Sequence, residues 1–109
     1  MKSRAKNNLD LIKLLHKCGH KQQKDILKTT NREQILAICE CVDNTLRGNV
    51  PLTSAQKKRL EKHKAVLRHL ANTKVGWKSK QKTLTQKGKG IFSILLPAVI
   101  ALLSSINSQ

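Results

Sequence analysis

Several things are scarce in this sequence, and each scarcity closes a door. There is no tyrosine, and the aromatic residues are Trp77 and Phe92 alone. That excludes the single-strand nucleic-acid binders that stack bases on aromatic platforms. Acid is scarce too: 6 Asp and Glu stand against 22 Lys and Arg, a formal net charge of +16. Self-repulsion on this scale destabilises a compact chain unless a polyanion neutralises it, which argues against an ordinary enzyme surface. Alternating β-branched runs are missing, so a sheet is not expected. The three cysteines, Cys18, Cys39 and Cys41, are an odd number. No uninterrupted apolar stretch near the N-terminus leads to a cleavage site, so a secreted disulfide scaffold is not indicated and a reducing compartment is expected.

What is present is graded along the chain. Residues 1–52 carry ten Lys and Arg against five Asp and Glu, residues 53–90 carry twelve against one, and residues 91–109 carry none. The expected organisation follows that gradient: a helical body over 1–72, a flexible basic arm over 73–90 and an apolar tail over 91–109.

The expected fold class is all-α, a small bundle of three to four short helices. A first helix over Asn8–Cys18 places Leu11, Leu14, Leu15 and Cys18 on one face, and Gly19 ends it. A second runs over His20–Lys28. In the third, Asn31 and Gln34 form a capping-box pattern, Ile35, Ile38, Cys39, Val42 and Leu46 make the apolar stripe, and Gly48 closes it. Thr53 and Gln56 repeat the capping pattern before a fourth helix over Ser54–Ala71, with Leu60, His63, Leu67 and Leu70 inward.

No catalytic constellation is legible. Cysteines and histidines occur without an orienting carboxylate or oxyanion site, and no glycine loop of the phosphate-cradling type is present. No cofactor is expected. Cys18, His20, Cys39 and Cys41 could be counted as four metal ligands, but residues two apart on a helix point about 200° away from each other, so Cys39 reads as core.

The strongest functional signal is cationic. Lys57, Lys58, Arg59, Lys62, Lys64 and Arg68 cover a helix, and Lys74, Lys78, Lys80, Lys82, Lys87 and Lys89 follow with only Glu61 to offset them. Lysine outnumbers arginine, which favours point-charge contact with phosphates over bidentate recognition. Binding to double-stranded DNA without base readout is the expected activity. The tail residues Ile91, Phe92, Ile94, Leu95, Leu96, Val99, Ile100, Leu102 and Leu103 read as a surface for membrane, a capsid protein or another partner, or as a lid on the bundle. As a helix Ile91–Ile106 spans about 24 Å, short of a bilayer's roughly 30 Å hydrocarbon core, and Pro97 is expected to kink or split it.

The run REQILAICECVDNTLRGNVPLTSAQKKRLEKHKAVLRHLA, followed by QKGKGIFSILLPAVIALLSSI, resembles small basic proteins of Polinton/Maverick-type DNA transposons and adintovirus-like elements. The resemblance covers residues 30–106 and is most specific in the connector Leu46–Lys57 and in the glycine-then-apolar tail. That tail is also similar to the apolar end of the small adenoviral core-protein precursor. Many relatives run three glycines where this chain has Gly88-Lys89-Gly90. The resemblance implies a virion core or minor structural protein of the virion and host nucleus, and a substrate of an adenovirus-like cysteine protease. Gln86-Lys87-Gly88-Lys89-Gly90 fits that protease's pattern, with the cut after Lys89. A glycine hinge is the plainer reading of the same residues. Outside that setting the location is nuclear or cytoplasmic, and two rival roles stay open: a membrane-active cationic protein, and a chromatin- or RNA-binding accessory protein.

Overall fold

A computed structural model of the protein describes residues 3–107, with side chains from Arg4 to Ser104. The two residues at each end of the expected three-part division lie outside it. Among the described residues there are seven helices and no strand: α1 (Ser3–Asn7), α2 (Leu9–Lys17), α3 (His20–Thr29), α4 (Arg32–Leu46), α5 (Ser54–Glu61), α6 (Lys64–Ala71) and α7 (Trp77–Asn107). The all-α class holds. The number of helices exceeds the three to four expected, because a short helix α1 precedes the first expected one, the fourth expected helix is divided into α5 and α6, and a long C-terminal one is added.

Local chemistry explains most of the boundaries. The Asn31 side chain accepts from the Gln34 N–H at 2.8 Å, and the Gln34 side chain accepts from the Asn31 N–H at 2.9 Å. Thr53 and Gln56 repeat the reciprocal pair at 3.1 and 2.8 Å. At the other end of α4, Gly48 takes φ +78°. The Asn49 N–H then donates to Asn44 O, and the Gly48 N–H to Thr45 O. These two bonds satisfy carbonyls that the last helical turn leaves open, and the left-handed geometry they need favours glycine. Between α5 and α6 the chain makes a tight turn at Lys62–His63. Nothing in residues 61–64 forces that break; it accompanies the seating of the His63 ring on α7.

The main departure is α7. Residues 77–107 form one helix, where an arm and a separate tail were expected. It is also the centre of the bundle, touching α2, α3, α4, α5 and α6. Ile91, Phe92, Ile94, Leu95, Leu96, Val99 and Leu103 are each no more than 3% exposed and join Leu15, Ile35, Ile38, Val42, Leu67 and Leu70 in a single core. The apolar tail is therefore the lid, and more than a lid: without it α2 and α3 have little to close on. Pro97 does not split α7. The carbonyl it leaves unbonded belongs to Ser93, an exposed residue, where water can serve it.

Two smaller expectations shift. The buried face of α2 is Ile12 and Leu15, while Leu14 is 46% exposed. In α4 Leu46 leaves the stripe and is 42% exposed. Cys39 and Cys41 are both buried, and burial pushes their thiols up to about 11 and about 12. They are packed as small hydrophobes, and among the described residues no group of three or more His, Cys, Asp or Glu could hold a metal ion.

Candidate nucleic-acid interface

Acid and base are sorted to different parts of this surface. Three of the six carboxylates, Glu33, Glu40 and Asp43, line one groove of about 660 Å³ beside α4. There Arg4 Nε meets Glu33 at 2.9 Å, and Arg47 Nε meets Asp43 at 3.0 Å. These are the two ion pairs among the described residues, and both use arginines from outside the predicted cationic set. Lys80 lines the same groove. It is 4% exposed, so it is not available to a polymer at the surface and leaves the predicted set.

The other eleven, Lys57, Lys58, Arg59, Lys62, Lys64, Arg68, Lys74, Lys78, Lys82, Lys87 and Lys89, are all exposed, and none has a carboxylate within ion-pair distance among the described residues. They do not form one patch. At 100° per residue, Lys78, Lys82 and Lys89 fall within about 40° of one another around α7. Gly90 lies about 100° from that line and Lys87 about 160°. Since Gly90 faces His63, between α5 and α6, the lysines of α5 and α6 belong to a different flank of α7.

On the first flank the structure supplies partners that sequence reading missed. Lys28 at the end of α3 joins Lys78 and Lys82 around a groove of about 260 Å³, completed by Gln81, Thr85 and Gln86. Three ammonium groups and two amides line it, with no carboxylate. The register is fixed by Gln81, whose Nε2 donates to the carbonyls of Leu27 at 2.8 Å and Thr30 at 3.2 Å. The Leu27 carbonyl already accepts from the Thr30 N–H and hydroxyl, so Gln81 adds a cross-helix bond to the capped end of α3. The Lys78 ammonium also stands 5.7 Å from the Trp77 ring centre, a cation–π distance that restrains it at the start of α7. Further along, His20 is held below its usual pKa by burial of its ring, then by the charges of Lys24 and Lys89. The histidine thus reports that α3 and α7 bring two more cations together. Lys24 and Lys28 could have been found from sequence only by knowing that α3 lies beside α7.

The glycines of the predicted cleavage site have packing roles. A Cβ on Gly88 would stand 2.9 Å from the Phe92 ring, and one on Gly90 would stand 2.9 Å from His63 Cε1. Gln86, Gly88, Lys89 and Gly90 all lie within α7, so the Lys89–Gly90 bond is helical where a protease cleft takes extended backbone.

Of the nine tail residues predicted to meet membrane or a partner, seven are core and Ile100 and Leu102 are half-buried. Among the described residues one stretch, Trp77–Ser104, is long and apolar enough to cross a membrane by length and composition; here its apolar side is spent on the bundle.

Compared with known proteins, the chain matches no family model, no curated protein and no solved structure.

Proposed function

We propose that the protein binds double-stranded DNA without regard to sequence, as a non-enzymatic packaging protein. The observation that carries this reading is the groove between α3 and α7, where Lys28, Lys78 and Lys82 converge with amide donors and no acid. A phosphate backbone offers what such a groove lacks, and amides add hydrogen bonds to phosphate oxygens that carry no sequence information. Lysines of α5 and α6 extend the contact on the adjoining flank. The resemblance to transposon- and virus-encoded basic proteins supports a virion core setting, with the host nucleus as the place of assembly.

The test is fluorescence anisotropy with two duplexes of unrelated sequence across a salt series. Equal affinities and a steep salt slope are expected. The triple variant Lys28→Glu, Lys78→Glu, Lys82→Glu should flatten that slope by about 3. Strong preference for one duplex, or an unchanged slope, would refute the reading; tighter binding to duplex RNA would move it to the accessory-protein role.

Under this reading the tail is no longer a free anchor to capsid or membrane. Cleavage after Lys89 would divide the helix that closes the core, and so would serve to dismantle the protein. The native chain should resist an adenovirus-like protease at Lys89–Gly90 and be cut there once unfolded, as read by mass spectrometry. A second reading is favoured by the length and apolarity of α7: on an anionic membrane the helix leaves the bundle and inserts. Dye leakage from anionic vesicles that added DNA fails to suppress would establish that reading over the first.

A further inference from the structure

The lysines of α5 and α6 surround a feature that phosphate chemistry does not use. Between the end of α4, the Val50–Thr53 connector and α5–α6 lies a groove of about 470 Å³. Its walls include Leu46, Leu52, Leu60 and Leu67. Leu60 and Leu67 are core residues seen through the floor, at 5% and 3% exposure, whereas Leu46 is 42% exposed at the rim. A second hollow of about 410 Å³ shares Leu46, Leu52 and Lys57 with it and runs on past Gly48 to Pro51. The two make one apolar channel. Lys57, Lys58 and Lys64 stand over it, with Glu61 as its single acid.

We propose that this channel docks an acidic amphipathic segment of a protein partner, with apolar side chains entering over Leu46 and Leu52 and carboxylates meeting Lys57, Lys58 and Lys64. Leucine left in water at a rim gains by being covered, and an apolar channel edged by charge of one sign is the form that receives an amphipathic helix of the opposite sign. A nucleic-acid backbone projects no aliphatic side chain that could reach the floor. A second copy of this chain brings +16 toward +16, and its Glu33 and Asp43 are already paired. A membrane inserts projecting residues, and here the apolar surface is concave. Because the three lysines are also cations of the duplex-binding reading, partner and duplex compete for them. The docking itself stands without that reading, since its measurement contains no DNA.

The experiment uses the full chain and a fluorescein-labelled probe peptide of Glu and Leu, about 14 residues or four helical turns long, with leucines at i, i+3, i+4 and i+7. A scrambled peptide of the same composition is the control. Anisotropy titration should show the patterned probe binding at least about tenfold more tightly than the scrambled one. The variant Leu46→Ser, at an exposed position that leaves the fold intact, should lose several-fold in affinity, and Leu46→Ser with Leu52→Ser at least about tenfold. Circular dichroism verifies the fold of each variant. Equal binding of both peptides would reduce the effect to bulk charge and overturn the proposal, as would unchanged affinity in the leucine variants. Two other results overturn it by naming another occupant. One is a loss of binding to phosphatidylserine vesicles in the Leu46 variant without loss of probe binding. The other is concentration-dependent self-association that Leu46→Ser abolishes.

Discussion

The two halves of α7 share a helix and little else. From Ile91 onward the helix is held by burial: seven of its apolar side chains are at or below 3% exposure. From Trp77 to Gly90 its side chains include seven charged or amide residues, three hydroxyls and two glycines, and only Leu84 is a buried hydrophobe. Such a segment is a poor helix former alone. Its helicity is borrowed, first from the apolar half that nucleates it and then from particular polar contacts. Gln81 ties it to the end of α3, and the Thr83 and Thr85 hydroxyls donate back to Ser79 and Gln81 carbonyls at 3.1 and 2.8 Å. Charge can therefore be displayed on a rigid rod because the display half is not asked to stabilise the fold.

The most severe way to break this comparison is to remove burial. Leu95 is fully buried, and Leu95→Ala is expected to cost about 2–5 kcal/mol. In a domain this small that is a large share of the total stability. Thermal melting by circular dichroism should show both halves of α7 lost in one transition. A variant that unfolds only residues 91–107 would mean that the halves are independent.

A sharper test lies at the junction, where two glycines should respond with opposite signs. At Gly88 the clashing atom belongs to Phe92, a ring 1% exposed and fixed in the core. Gly88→Ala should destabilise by about 1–3 kcal/mol. At Gly90 the clashing atom is the far end of the half-exposed His63 side chain, which can turn away. Gly90→Ala should be neutral or stabilise by up to about 1 kcal/mol through helix propensity. Urea melts measure both; equal losses would show that His63 is as fixed as Phe92.

On the polar half the expected effects are smaller. Gln81→Ala removes the cross-helix bonds to Leu27 and Thr30, while Leu27 keeps its Thr30 donors; it should cost about 1 kcal/mol or less, with faster amide exchange confined to the end of α3 and the start of α7. Smallest of all is a titration. His20 sits below its usual pKa through burial and the charges of Lys24 and Lys89. A bound polyanion offsets those charges, so its pKa should rise on duplex binding, as followed by NMR of the imidazole protons. Below the ordinary histidine range the ring charges in the unfolded chain first, so this group favours the fold above that range and the benefit fades as pH falls through it. Duplex binding should weaken that dependence.

The parts of the fold written in short-range patterns were legible. Asn31 with Gln34, Thr53 with Gln56, and Gly48 each announce a helix end through contacts within three to five residues, and the stripe from Ile35 to Val42 announces the core. α7 was not legible because its two halves were divided at the charge boundary. Leu84, Gly88, Ile91 and Leu95 follow one another at helical spacing, and the pattern continues across that boundary only if Gly88 is read as a core position that Phe92 has filled. The cationic cluster was legible as composition and not as geometry. Its eleven exposed members could be named, but Lys80 turns inward, and Lys28 joins through the Gln81 contact, more than fifty residues away in sequence.

The place of α7 in the chain has a consequence for synthesis. The helix on which the others close is made after all of them. Domains assemble from the N-terminus as they leave the ribosome, yet α2 and α3 emerge with Leu15 and Leu27 lacking the helix they pack on, while α4 can close only on α1 and α6. The nascent protein must wait, sticky and positively charged beside ribosomal RNA, until α7 arrives, and in that interval a chaperone would find it an open client.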